Sequence, residues 1–173
     1  MNIVNCNYER HGGSILDILN DAIVNSTALY DYKPRSLDNM REWFALKSSQ
    51  QFPVIGIEDE TGRLLGFASY GIFRAWPAYK YSVEHSLYVH KEFRHQGIGR
   101  ALLTQLIAVA MKQGRHILVG GIDVENNASI GLHESMGFVY AGTIKQAGYK
   151  FNRWLDVAFY QLILSTPDNP QDG

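Results

Sequence analysis

SLYVHKEFRHQGIGRALLTQLIAVAMKQG, residues 86–114, joins an apolar strand pattern to an amphipathic helix through a segment bearing two glycines. In the helix pattern ALLTQLIAVAMK the residues Leu102, Leu106 and Val109, with Ile98 just before it, line one face, and Gly114 stops it. Glycines at a strand-to-helix joint keep side chains away while successive backbone N–H groups converge, and the helix N-terminus adds positive potential. The segment therefore reads as a phosphate cradle.

Three kinds of phosphate loop compete for it. A nucleoside-triphosphate loop needs Gly-Lys-Ser/Thr, and here Gly99 is followed by Arg100 and Ala101. A dinucleotide loop needs a third glycine where Leu102 stands, and places its glycines directly after the strand, whereas HKEFRHQ intervenes. Asp123, ending the next strand pattern, does not rescue that reading. What remains is Arg-x-x-Gly-x-Gly, as Arg94, Gly97 and Gly99.

Outward from this joint the chain alternates strand and helix signals. A short strand sits around Ile3 and Val4, and SILDILNDAIVN reads as a helix capped by Ser14. Ser36 caps a second helix, LDNMREWFALKSS. PVIGIE and RLLGFASYGIF are strands joined at DETG, where Gly62 suits a hairpin turn. YSVEHSLYV precedes the glycine joint, and HILVGGIDV follows its helix. NNASIGLHESMGF is a short helix stopped by Gly137, and strands near FVYAGT and WLDVAFYQLIL close the order. The sequence predicts β-α-α-β-β-β-α-β-α-β-β, a mixed sheet with helices on both faces, in the α/β or α+β class.

The 173 residues suffice for one domain, expected over 1–164, with the polar, proline-bearing 165–173 as a flexible tail. Acidic residues (17) and basic residues (16) nearly cancel without any like-charge run, which argues against nucleic-acid and membrane partners. Cys6 is the single cysteine, so no internal disulfide and no thiolate metal site is expected. No signal peptide or membrane span is evident, and the expected location is a reducing cytoplasm. The histidines lack ligand spacing beside carboxylates, so no metal is expected.

Two motifs carry a resemblance. Arg94-x-x-Gly97-x-Gly99 resembles the pyrophosphate loop of the GCN5-related N-acetyltransferase superfamily, and Asn126 with SIGLHESMGF resembles its second cofactor motif, with Ser129, Leu132, Gly137 and Phe138 in register. RAWPAYKYSVEHSLYV, GLHESMGF and QAGYKFNRWLDVAFYQL together are similar to the phosphinothricin and methionine sulfoximine/sulfone acetyltransferases, a likeness running from about Ile3 to Leu164. The resemblance implies a mostly antiparallel seven-stranded sheet flanked by four helices, with acetyl-coenzyme A as acetyl donor. It implies that Leu87, Tyr88 and Val89 hold the pantetheine arm, that His95, Gln96, Gly97, Ile98, Gly99 and Arg100 hold the pyrophosphate, and that Asn126 contacts the cofactor.

Acetylating an amine requires a base for the ammonium proton. Strand alternation puts Glu84 on one face with Ser82 and Ser86, with Val83, Leu87 and Val89 on the other. A carboxylate there is either a general base or a structural partner of a nearby cation. The subfamily resemblance favours the base. It also places His133 where most of the superfamily has a tyrosine acid, as a proton donor to coenzyme A or a second base. Arg74 offers a forked pair to an amino-acid carboxylate, with Trp76, Tyr79 and Tyr81 as walls, and the implied substrate residues are Arg74, Ala75, Trp76, Glu84, His85 and Ser86. Tyr30 and residues 149–154 are candidates to close the pocket. The aromatic C-terminal stretch GYKFNRWLDVAFYQLIL suggests a homodimer. Rival readings are an acetyltransferase for peptide N-termini or another amine, and a non-catalytic acyl-coenzyme A sensor.

Overall fold

The computed structural model describes residues 1–172. Gly173, the end of the expected tail, lies outside the described residues. The elements are β1 (Asn2–Asn5), α1 (Tyr8–Asn25), α2 (Leu37–Ser49), β2 (Val54–Glu58), β3 (Leu64–Ile72), β4 (Ser82–Val89), α3 (Ile98–Lys112), β5 (Ile117–Asp123), α4 (Asn127–Ser135), β6 (Val139–Lys150) and β7 (Arg153–Ile163). This is the expected order. The strands form a seven-stranded sheet in the order β1-β2-β3-β4-β5-β7-β6. The β4–β5 pair is parallel, whereas β1–β2, β2–β3, β5–β7 and β6–β7 are antiparallel.

The chain divides into two units. In the first, Met1–Tyr70 with Ser86–Leu106, Ile15, Ile18, Leu19, Met40, Phe44, Val54, Leu64 and Phe67 form a buried cluster. Trp43 meets Phe44 and Phe67 edge-on, at ring centroid distances of 5.0 and 6.2 Å. Each fully buried large aliphatic or aromatic side chain here contributes about 1.5–3 kcal/mol.

The start of α1 corrects the sequence expectation. The cap is Asn7, whose side chain accepts the Arg10 N–H, and the helix begins at Tyr8, before Gly12 and Gly13. His11 explains why glycines do not break it. Its Nδ1 accepts the Asn7 N–H at 3.0 Å, which puts the ring proton on Nε2, 3.0 Å from Glu58 Oε1. Arg10 donates to the other carboxylate oxygen at 2.7 Å, so a buried tie to β2 holds the first turns. The second cap is as expected, with Ser36 and Asn39 closing a capping box on α2.

The second unit, Gly71–His85 with Ile107–Gly173, buries Leu118, Ile122, Phe138, Leu155, Ala158 and Tyr160. β6 runs well beyond the expected FVYAGT. At Gln146 (φ 56) the ladder bulges and the N–H bonds Asp156 Oδ1 at 2.8 Å, after which pairing resumes from Gly148 to Lys150. Phe151 and Asn152, both at positive φ, make the turn into β7 without the glycine that usually marks such hairpins. After β7, Thr166 hydrogen bonds the Arg115 carbonyl, and the Gln171 N–H donates to the Tyr81 hydroxyl at 2.9 Å.

Candidate active site

The alternation of β4 presents two different chemistries. Glu84 and Ser86 are exposed, while Val83 and His85 are buried. Glu84 stands opposite Val119 of β5. Its pKa is raised above the ordinary carboxylate value, chiefly because its surroundings desolvate it, and the charge of Arg74 pulls it partway back. β5 makes room for this carboxylate with a glycine. A Cβ on Gly121 would lie 3.3 Å from Glu84 Oε1 and 3.5 Å from side-chain atoms of Phe159 and Val157.

Arg74 follows β3 and is exposed, its guanidinium 5.4 Å over the ring of Phe73. Phe73 in turn meets Tyr79 edge-on at 5.7 Å. Trp76 precedes the 3-10 turn Pro77–Tyr79 and is 74% exposed. A cation, a desolvated carboxylate and exposed aromatic surface thus belong to one unit, together with the exposed Ala75.

The other face of β4 is closed. His85 and His133 are both buried, with Nε2 to Nε2 at 2.9 Å. His133 Nδ1 donates to the Ser129 carbonyl one turn back, at 2.7 Å. Phe138 packs against both rings, at centroid distances of 5.2 and 5.0 Å. Burial lowers the His133 pKa and drives that of His85 to about 3. Gly120 admits the pair: a Cβ there would lie 3.1 Å from His85 Cε1 and 3.4 Å from both Nε2 atoms. Sequence reasoning read HILVGGIDV only as a buried strand. Its adjacent glycines serve opposite faces, Gly120 the imidazoles and Gly121 the carboxylate.

His133 is expected from the sequence to be a proton donor to coenzyme A or a second base. Its single ring proton is committed to its own helix, and the other nitrogen is occupied by His85.

The first unit holds the rest of the expected cofactor residues apart from Asn126. A Cβ on Gly66 of β3 would lie 2.8 Å from the Tyr88 carbonyl oxygen, so this glycine lets Leu87–Tyr88–Val89 pass close to β3. In the loop, His95 (φ 62) and Gly97 (φ 80) take the left-handed conformation. A Cβ on Gly97 would meet no protein atom within 4 Å. The glycine therefore answers to backbone geometry and leaves that side of the loop bare. The first intrahelical bond of α3 runs from the Ala101 N–H to the Gly97 carbonyl at 3.0 Å, so the N–H groups of Ile98, Gly99 and Arg100 precede it and suit an anionic diphosphate. Arg94 is a clamp for this loop. Its guanidinium reaches Asp21 of α1 and the Val89 carbonyl, at 3.3 and 3.4 Å.

Asn126, in the second unit, caps α4 by accepting the Ser129 N–H at 3.1 Å. The cap uses its oxygen, so a cofactor contact would come from its amide hydrogens. Tyr149 and Trp154 face each other across the β6–β7 ladder with ring centroids 5.0 Å apart. Tyr30 lies in the first unit, 39% exposed.

Residues 15–138 match the model of the acetyltransferase (GNAT) family. The chain is 44% identical over 150 residues to an L-methionine sulfoximine/L-methionine sulfone acetyltransferase of Pseudomonas aeruginosa, covering 87% of each protein. A solved putative acetyltransferase from Acinetobacter baylyi superposes with a TM-score of 0.98 at 57% identity, covering 99% of this chain and 96% of that one. A putative acetyltransferase from Salmonella typhimurium, solved with its cofactor acetyl-coenzyme A, gives 0.93 at 36% identity over 99% of this chain and 98% of that one.

Proposed function

Because the chain belongs to the acetyltransferase (GNAT) family, we propose that its acceptor is the α-amine of a free amino-acid analogue with a compact tetrahedral polar side chain: methionine sulfoximine, methionine sulfone or phosphinothricin. The protein is an acetyl-coenzyme A-dependent N-acetyltransferase. The observation that carries the acceptor reading is the charge of Arg74 acting on the desolvated Glu84. A base with a raised pKa and an exposed cation whose charge reaches it are what a zwitterionic amino acid needs.

In this reading Arg74 pairs the substrate carboxylate through its guanidinium fork, and Ala75, Trp76 and Tyr79 wall the side chain. The backbone of His85 and Ser86 contacts the substrate. Glu84 takes the ammonium proton, directly or through a water, and leaves the neutral amine that attacks. Leu87, Tyr88 and Val89 hold the pantetheine arm, residues 95–100 the diphosphate and Asn126 the cofactor chain. Bound acetyl-coenzyme A supplies an activated acetyl thioester.

The three analogues are not equivalent. This chain has Trp76, and no second cation, two residues after Arg74. A charged phosphinate against an indole loses hydration without gaining a partner, whereas a sulfone or sulfoximine is neutral. Catalytic efficiency should therefore be higher on methionine sulfoximine and sulfone than on phosphinothricin, and Trp76→Arg should narrow the gap. Steady-state thiol-release kinetics across these compounds, free amino acids and a peptide tests this. Phosphinothricin ranking first would overturn the preference, activity confined to peptides the acceptor class, and binding without turnover the enzyme itself.

A second copy of this chain is the proposed partner. β6 is the edge of the sheet, and Val139, Tyr140, Ile144, Phe151, Trp154 and Ile163 on the β6–β7 hairpin are each more than half exposed. An apolar edge strand of this kind is ordinarily covered. Light scattering should give a dimer, and a fully active monomer at micromolar concentration would contradict it. A reducing, cytoplasmic setting fits a chain whose single cysteine, Cys6, is free. Among the described residues no helix is long and apolar enough to cross a membrane.

A further inference from the structure

We infer that His85 and His133 form a neutral imidazole pair that positions the strand carrying Glu84, so that His133 acts through His85 and gives no proton to the reaction. The Ser129 backbone carbonyl decides the tautomers. The Ser129 oxygen accepts only, so His133 Nδ1, 2.7 Å away, must carry a proton. A neutral His133 then has a bare Nε2. His85 Nε2 lies 2.9 Å from it and must be the donor. This leaves His85 Nδ1 without a proton, buried and without a hydrogen-bond partner. One backbone oxygen thereby fixes both tautomers.

The surroundings keep the pair neutral. β4 contributes His85 itself, α4 contributes His133 and Ser129, β5 contributes Gly120 and the Val119 carbonyl, and the turn after α4 contributes Phe138. Of these only the Val119 carbonyl favours a proton on His85, and His85 Nδ1 itself has no hydrogen-bond partner. No carboxylate is among the influences on either ring. An added proton would have to enter at the buried Nδ1, or set two N–H groups against each other.

The consequence for catalysis follows from adjacency. His85 is the residue after Glu84, so the bond to His133 fixes the β4 backbone one step from the base, and Gly120 gives the rings the room to do so. The reaction does not require an acid from this ring. A free thiol titrates at about 8.5, so a departing thiolate can take its proton from water.

The decisive measurement is nitrogen-15 NMR of the imidazoles in the unmutated protein between pH 5 and 9. The expected spectrum shows His133 protonated at Nδ1, His85 protonated at Nε2, and neither ring titrating. A His133 that carries its proton on Nε2, or titrates between pH 6 and 8, would overturn the inference. Kinetics provide the second arm. His133→Asn keeps a donor for the Ser129 carbonyl, and should lower kcat by no more than about tenfold with both limbs of the pH–rate profile in place, against the ~10²–10⁴ of a lost catalytic acid. Loss of the basic limb would restore the acid role. The NMR arm needs no substrate and the kinetic arm uses whichever amine the enzyme acetylates, so both stand or fall apart from the proposed substrate class.

Discussion

Replacing His85 with glutamine should flatten the dependence of stability on acid pH. Glutamine places an amide N–H near the position of Nε2, so the donor to His133 is retained while the titrating group is removed. In the folded protein burial holds the His85 pKa at about 3, against 6.5 for the free side chain. Between those values the unfolded chain binds a proton that the native state refuses, so stability is fully present above pH 6.5 and is lost as pH falls toward 3. At about 1.36 kcal/mol per pH unit, moving from pH 7.5 to 4.5 crosses two units of that window and costs about 2.7 kcal/mol. For a chain of this length that corresponds to roughly 5–10 °C in Tm. Urea unfolding of both proteins at the two pH values reads the difference, since carboxylates and His133 are common to both. If His85→Gln loses as much stability as the parent between pH 7.5 and 4.5, the buried neutral ring is refuted.

Three further outcomes bear on the site. Glu84→Gln should lower kcat/KM by ~10²–10⁴ and abolish the limb in which rate rises with pH, a limb lying above the ordinary carboxylate range because Glu84 is desolvated; a profile unaltered in this variant would remove the base assignment. Gly97→Val forces a branched residue into a left-handed conformation and fills the bare side of the loop, so calorimetric titration should show weakened acetyl-coenzyme A binding, along with about 1–2 kcal/mol of lost stability. Gly121→Ala pushes the Glu84 carboxylate by a few tenths of an ångström from 3.3 Å contact, and should depress kcat while the KM for acetyl-coenzyme A holds; a raised KM with kcat intact would place Glu84 outside the chemistry.

Much of this was already legible in the chain. The order of seven strands and four helices follows from hydrophobic periodicity and from local signals, the start at Ser36 and the stops at Gly114 and Gly137, which act within a few residues of themselves. The facing of Glu84 against His85 follows from the two-residue repeat of a strand. The turn at Gly97 is readable because its glycine answers to backbone conformation, a local property. What tertiary structure decided is whatever depends on a neighbour distant in sequence. Asn7 rather than Ser14 opens α1 because the Glu58 carboxylate, on β2, holds His11 and Arg10. Gly120 and Gly121 looked alike in HILVGGIDV, and only the parallel pairing with β4 gives one to the imidazoles and the other to the carboxylate. His133 looked like a free acid on a short helix. Its protonation is set by Ser129 and by His85, 48 residues away, and a sequence pattern carries no record of which nitrogen a distant ring will meet.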